Sequence, residues 1–363
     1  MEVKVVIGSN YGDEGKGLTS ANLAREAANK NHKILTVFYN GTIQRAHSYG
    51  NTIHHCEATG TTWGSDTYYH SMFVIDPITL WLEQAEVYIH PFCRLILPCD
   101  VLANRKVENE RGKKRHGSCG FGLFAAVKRY EEHPEQTICA ITLNNTQLLY
   151  KEVRDIGNNY CDEIYNMHNL ILAAEYISKH CQFIELNDLL KEKAYDTIIY
   201  EGGQGLLLDQ RNLDNFPHLT PSSVGMYNIA NEIKTLNCVP DLYYVSRTYM
   251  TRHGAGPMEA ECTKEEINSN IIDLVNQPNE WQGSLRFGRI NLDTLYSRIK
   301  KDAAIYGNKS NINLVFTQLN YTNNQIETVN GRQEIIKPDF CSKLYVSRDK
   351  EFIDEVKIKS NNI

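Results

Sequence analysis

The chain of 363 residues contains no run of about 18 consecutive apolar residues, so no membrane-spanning helix is expected. It also lacks a positive excess. Its 38 Lys and Arg stand against 44 Asp and Glu, a net charge of −6, which argues against the basic stripe of a general nucleic-acid binder. Its 10 cysteines show no paired short spacings. The nearest metal-like patterns, His90-Pro91-Phe92-Cys93 and His54-His55-Cys56, each lack a second half, so the cysteines read as reduced, mostly buried thiols of a cytosolic protein. Repeats, low-complexity tracts and a convincing linker are all missing, and residues 1–363 are read as one domain with inserted loops. Met1-Glu2-Val3-Lys4 enters a strand at once and leaves no room for a signal peptide, so a cytoplasmic location is expected. What the chain does have is 42% hydrophobic and 23% charged residues, the balance of a packed globular core.

Short β-branched or aromatic runs fall at Val3–Ile7, Ile34–Phe38, Val87–Ile89, Leu95–Leu97, Thr137–Ile141, Thr197–Tyr200, Leu242–Val245 and Leu314–Phe316. Helical stretches alternate with them: Leu18–Asn29, Pro77–Gln84, Asp162–His180, Leu186–Lys193, Leu292–Tyr306 and Lys350–Lys357. The alternation predicts an α/β fold with a mainly parallel central sheet and crossover helices. Polar Thr322–Arg332 is expected to be an exposed loop or hairpin, and Ser360–Ile363 to fray. Ligands of such sheets bind where loops leave the carboxyl ends of strands. The informative loops follow strands: Gly8–Gly17, Asn40–His47, Glu201–Gln210, Thr248–Pro257 and Thr317–Asn320.

The first of these loops, Gly12-Asp13-Glu14-Gly15-Lys16-Gly17, is P-loop-like. Glycines let successive N–H groups converge on an anion, the following helix adds its positive end, and Lys16 supplies a full charge. Asp13 is the unusual member. A carboxylate beside phosphates repels them unless a cation lies between or the carboxylate takes a proton. The loop therefore implies phosphoryl transfer with base chemistry. It lacks the four-residue gap and the hydroxyl after Lys of a simple P-loop kinase.

Further motifs follow in order: Ala46-His47-Ser48, His116-Gly117-Ser118-Cys119-Gly120, Glu201-Gly202-Gly203-Gln204-Gly205 with Leu207-Leu208-Asp209, Phe216-Pro217 with Thr220, and Thr251-Arg252-His253-Gly254-Ala255-Gly256-Pro257. Together with the first loop they resemble adenylosuccinate synthetase along nearly the whole chain. The resemblance implies a homodimeric ligase that joins L-aspartate to C6 of a purine 5′-monophosphate through a 6-phosphoryl intermediate. It implies that Asp13 is the N1 base and a Mg²⁺ ligand, and that the backbone carbonyl of Ala46 is a second ligand. His47 polarises the transferring group, Lys16 holds phosphate charge, and Gln204 meets the purine edge. Gly12, Glu14, Gly15 and Gly17 line the phosphate cradle. Gln44, Ser118, Cys119 and Thr220 are the implied nucleotide contacts. Arg129 is the implied inter-subunit arginine, and Arg252 reaches the acidic substrate or a phosphate.

The chain departs from the family pattern where substrates are chosen. Thr317-Gln318-Leu319-Asn320 stands in place of Thr-Lys-Leu-Asp, and Ser347-Arg348-Asp349-Lys350 in place of Ser-Thr-Gly-Pro. Gln318, Asn320 and Ser347 are the donor-base candidates. Neutral Asn320 loses the charge-assisted bond that selects guanine, so ATP or dATP becomes as credible a donor as GTP. The loop Trp281–Arg289 is the implied aspartate site, with Ser284, Arg286 and Arg252 as its contacts; Ser284 replaces an arginine that also touches the ribose 2′-hydroxyl, and Arg286, then Arg289, remain as carboxylate clamps. His253 replaces a valine beside the ribose. These departures resemble a phage branch of the family that acts on dGMP, whose host-cytoplasm setting would follow. That branch commonly has Ser in place of the loop Asp, whereas Asp13 is retained here. dGMP is therefore expected ahead of IMP, with an ordinary IMP- and GTP-using enzyme, or a nucleotide-binding module without turnover, as alternatives.

Overall fold

The computed structural model describes residues 1–43, 47–160, 166–273, 276, 280–281, 283–307 and 309–357, with Lys113, Asn159 and Tyr160 by backbone alone. One sheet of ten strands dominates it. In chain order these are β1 (Glu2–Gly8), β2 (Ile34–Phe38), β3 (Ser65–Tyr69), β4 (Tyr88–Ile89), β5 (Gln182–Phe183), β6 (Thr197–Gly205), β7 (Asp241–Arg247), β8 (Asn311–Thr317), β9 (Lys343–Val346) and β10 (Asp354–Glu355). Across the sheet they run β10-β9-β8-β7-β1-β6-β2-β3-β4-β5. All neighbours are parallel except β9 and β10.

The central strands read as unbroken apolar runs because both sheet faces are covered. Val5 and Ile7 join Tyr200, Tyr244 and Phe316 on one face, under Leu295, Ile299 and Ala303 of the helix Leu292–Tyr306. Val6 joins Ile34, Ile199, Val245 and Val315 on the other face, under Leu18, Leu23, Ala24 and Ala27 of α1 (Lys16–Asn29). A further cluster around Phe38, Tyr69 and Ile89 packs beneath the helices Thr146–Tyr160 and Met167–His180.

Several expected elements coincide with the structure: β2, the helices Leu186–Lys193 and Leu292–Tyr306, and the hairpin Gln325–Thr328 with Gly331–Glu334. Two do not. Thr137–Ile141 is no strand; Cys139 makes one isolated bridge to Arg94, and a 3₁₀ turn over Ala140–Asn144 follows. Lys350–Lys357 is no helix. The Asp349 carboxylate accepts from the backbone N–H groups of Glu351 and Phe352, and the chain then pairs along β9. That local turn competes with helix formation. The helix expected over Asp162–His180 begins at Met167, residues 162–165 lying outside the described ones, as does Ser360–Ile363. The helix Pro98–Arg111 is an addition. Its buried positions include Asp100, Asn104 and Glu108, so it presents no apolar stripe to a sequence reader.

Candidate active site

β1 ends at Gly8, level with Gly205 of β6 and Val245 of β7. The connection from β1 leads to β2 on the β6 side, whereas that from β7 leads to β8 on the opposite side, and ligands of such sheets bind beyond the carboxyl ends of the strands at such a reversal. The loop leaving β1 turns through left-handed backbone at Gly12 (φ 106°), Asp13 (φ 57°) and Gly15 (φ 98°). α1 starts at Lys16 with no side-chain cap. Its first-turn N–H groups are thus left for an anion, where the helix dipole favours one. Lys16 is only 4% exposed, and its Nζ lies 3.7 Å from Oε2 of Glu14. Glu14 is buried and accepts from the backbone N–H of Asn10 at 2.5 Å. Burial raises its pKa, against the opposing pull of Lys16 and those backbone donors.

Both ends of this loop touch side chains singled out from the sequence. A Cβ on Gly12 would stand 2.8 Å from Oε1 of Gln204, and a Cβ on Gly17 would stand 2.6 Å from Cβ of His47. His47 opens the hairpin His47–Tyr49 with Thr52–His54. Its Nδ1 lies 2.5 Å from Oε1 of the fully buried Glu201, which shares β6 with Gln204. The loop that carries Asp13 and Lys16 therefore abuts Gln204 at one end and His47 at the other. Gln44 and Ala46 lie outside the described residues.

A second wall comes from three loops. The backbone N–H of Ala255 donates to the carbonyl of His116, and the rings of His116 and His218 stand edge to face at 4.7 Å. Ser118 exchanges hydrogen bonds with Asn104. Burial pushes the thiol of Cys119 up to about 11, so it is a neutral group here. Thr220 is half-buried, its N–H donating to Leu208 O. His253, from the same wall, places Nε2 3.6 Å from Oδ2 of Asp13, which joins the wall to the loop.

The remaining candidates lie on the β8 side of the loop. Thr317 donates to the carbonyl of Glu14 at 2.8 Å, and its methyl lies 3.0 Å from where a Cβ on Gly15 would be. Gln318 follows in left-handed backbone (φ 65°), and Asn320 is exposed. The Leu319 N–H donates to the carbonyl of Ser347, which brings the two donor-base segments together. The Ser347 hydroxyl itself is buried and donates to the carbonyl of Asp349.

Three arginines are placed differently from expectation. Arg129 cannot reach a neighbouring subunit. Its guanidinium is fully buried, paired with Asp100 at 2.8 and 2.9 Å and donating to the carbonyls of Leu95 and Gln136. Arg252 is 1% exposed; it stacks over Tyr11 at 4.5 Å and donates to the carbonyls of Pro257 and His218, so it braces the loop. Arg286 is forked onto Glu261 at 2.7 and 2.5 Å and ties down the carbonyls of Gly254 and Gly256. Arg289 pairs with Glu266 at 3.2 Å, and Ser284 is exposed. The sequence motif that begins at Glu201 carries no role for that residue, and Arg247 belongs to no motif. Glu201 directly follows the apolar run Thr197–Tyr200 and Arg247 closes β7, and a charge at the end of an apolar run is the signal that marks both.

The fold defines an α/β class of protein with a large, mainly parallel sheet and a glycine-rich loop at the carboxyl end of its central strand. A model of the adenylosuccinate synthetase family matches residues 76–283. The chain belongs to the adenylosuccinate synthetase family, a family of carbon–nitrogen ligases. It is 23% identical over 304 residues to the adenylosuccinate synthetase of Halothermothrix orenii, covering 77% of this chain and 69% of that one. With the enzyme of Microcystis aeruginosa it shares 27% over 309 residues, 74% of this chain and 64% of the relative. The chain thus spans about two thirds of the length of these relatives. Two solved structures share the fold. Fully ligated adenylosuccinate synthetase from Plasmodium falciparum superposes with a TM-score of 0.71 at 16% identity, over 98% of this chain and 87% of that one. The succinoaminodeoxyadenylate synthetase of cyanophage S-2L, bound to dGMP and dATP as energy donor, gives 0.65 at 15% identity, over 98% and 95%. Among the described residues, no helix is long and apolar enough to cross a membrane.

Proposed function

We propose that the protein is a triphosphate- and Mg²⁺-dependent ligase, acting as a single-domain homodimer, that joins the amine of L-aspartate to C6 of a 6-oxopurine 5′-monophosphate. The observation that carries this reading is the double contact of one loop, Gly12 against Gln204 and Gly17 against His47, with Asp13 on the stretch between. The oxygen on C6 is a poor leaving group until it is phosphorylated. Asp13 accepts the N1 proton, which makes O6 nucleophilic. Gln204 hydrogen-bonds the purine edge, and His47, backed by Glu201, polarises the transferring group. O6 then bonds to the γ-phosphorus as the bond to the nucleoside diphosphate breaks. Lys16 and the α1 amides hold the phosphate charge throughout. The aspartate amine displaces inorganic phosphate from C6.

The donor set around Asp13 suits Mg²⁺. Among the described residues no three metal-ligating side chains cluster, as a zinc site would require, and the Asp13 carboxylate is 35% exposed beside the phosphate-cradling amides. One carboxylate combined with phosphate oxygens and water is a typical Mg²⁺ environment. Asp13 would hold the ion, which when bound neutralises phosphate charge.

The preferred acceptor is dGMP with ATP or dATP as donor. Support comes from Asn320 in place of a guanine-selecting carboxylate and from Ser284 in place of a 2′-hydroxyl partner. IMP with GTP is the second reading, favoured by the retained Asp13. The test is phosphate release in the presence of aspartate, run with IMP, GMP or dGMP against ATP, dATP or GTP. Highest turnover is expected with dGMP and ATP or dATP, and Asp13→Asn should abolish it by about 10²–10⁴-fold. Nucleotide binding by calorimetry with no aspartate-dependent release for any pair would leave a binding module and reject the ligase.

A further inference from the structure

Asp13 is held by more than its own loop. Arg247, the last residue of β7, is 5% exposed, and its Nε donates to the backbone carbonyl of Asp13 at 2.6 Å. Its Nη2 donates to Oδ2 of Asp273 at 2.8 Å. The Asp273 carboxylate also accepts from the backbone N–H of Asn276 at 3.0 Å and from its side-chain amide at 2.8 Å. With that amide nitrogen engaged, Asn276 turns Oδ1 toward Nε2 of His253, 3.2 Å away. The same Nε2 lies 3.6 Å from Oδ2 of Asp13. The path leaves Asp13 at its backbone and returns at its carboxylate.

We propose that Arg247, Asp273, Asn276 and His253 form a positioning ring that aims the Asp13 carboxylate, with Arg247 as the anchor. The inference rests on the reading of Asp13 as the proton acceptor. Its physical basis is the backbone of Asp13, which sits at φ 57° although it has a Cβ. A residue with a Cβ occupies that region uncommonly, Asp at less cost than most, and the contacts around it then decide whether it stays there. Rotation about the Asp13 backbone would relax it and swing the carboxylate away from its target. The charge-assisted bond from Arg247 fixes the carbonyl and therefore the rotation. A planar guanidinium can serve the Asp13 carbonyl with one nitrogen and the Asp273 carboxylate with another in a fixed mutual geometry, which an ammonium group does not impose. On the carboxylate side the ring of His253, held by its Nε2–H···Oδ1 bond to Asn276, stands with Nε2 3.6 Å from Oδ2 of Asp13 and limits how far the side chain can swing. None of these four residues needs to touch substrate.

The test compares the wild-type chain with Arg247→Met, Arg247→Lys and Asp273→Asn in two separate readouts. The first is steady-state kinetics. Arg247→Met should lower kcat by about 10- to 100-fold with the nucleotide KM changed less than about threefold, because misaimed chemistry rather than binding is lost. Arg247→Lys should recover part of kcat, and Asp273→Asn should fall between. The second is the crystal structure of Arg247→Met, in which Asp13 should leave the left-handed region and its carboxylate should move. A residue 13 unchanged in that structure overturns the proposal, as does a kcat within twofold of wild type. So does a loss of melting temperature that accounts for the kcat loss and is not rescued by Lys. If wild type shows no aspartate-dependent turnover yet Asp13 moves in Arg247→Met, the ring stands and the functional reading falls.

Discussion

Glu201 and His47 are in direct contact, Oε1 of a carboxylate with no exposed surface standing 2.5 Å from Nδ1 of the imidazole. Neither residue stands near the other in sequence; β6 supplies one and the hairpin after β2 the other. A carboxylate at Nδ1 fixes the ring and leaves Nε2 for the site. Glu201→Gln should therefore lower kcat by about 10- to 100-fold. His47→Gln should do at least as much, and the double variant should lose little more, because residues acting as one unit are not additive. Steady-state kinetics of the three variants measures the coupling, and strict additivity would separate the two residues.

Gly17 gives a test that divides activity from stability. It lies within α1, where alanine is preferred by about 1 kcal/mol over glycine. The added Cβ, however, would meet Cβ of His47 at 2.6 Å, closer than real contacts allow. Gly17→Ala should displace His47 and cut turnover by at least about tenfold. Its melting temperature should stay near wild type, since the helix gain and the steric loss oppose each other. Thermal melting beside phosphate-release kinetics reads both.

Arg129 should behave as a structural residue. Removing one partner from a buried ion pair strands the other charge, and both side chains of the Arg129–Asp100 pair are fully buried. Arg129→Met should cost about 3–5 kcal/mol of stability. Activity per folded molecule should remain. Urea denaturation checks the first outcome, and kinetics normalised to the folded fraction checks the second.

Asp302 sets a pH dependence of stability. It is 5% exposed, accepts from Tyr244 at 2.9 Å and from the Met226 N–H at 3.1 Å, and burial nevertheless pushes its pKa up to about 6. A carboxyl whose folded pKa exceeds its unfolded one binds its proton more tightly in the native state. Its stabilising contribution is full below about pH 4 and is lost as pH rises through about 6. Wild type should therefore weaken relative to Asp302→Asn between pH 4 and 6, by on the order of 2–3 kcal/mol. Denaturant midpoints of both proteins across that range give the difference directly. A gap that widens in the opposite direction would reject the assignment.

Much of the architecture was legible from local pattern. The runs that became β1, β2, β6, β7 and β8 are β-branched and bounded by loops, because a strand covered on both faces tolerates few polar residues. Helices with a clear apolar face, such as Leu292–Tyr306, were read to the residue. Pro98–Arg111 was missed because its buried positions carry charges and amides paired with their surroundings. Lys350–Lys357 was misread because a single carboxylate, Asp349, captured two backbone donors. Within the site, the phosphate loop was plain because its chemistry is contiguous. The protein partners of Arg252 and Arg286 are not legible in the sequence because a guanidinium's partner is chosen in space, and these two meet carbonyls and Glu261.

The amino-acid order by itself determined the phosphate loop, the alternation of strands and helices, and the family motifs, because backbone freedom at glycine, hydrophobic periodicity and short contiguous spacings act over a few residues. Only the tertiary structure decided that Glu201 backs His47, that Arg247 grips Asp13, and that Arg129 turns inward. Those outcomes depend on which strands the sheet sets side by side, and burial then obliges each charge to find whatever partner the packing has brought within reach.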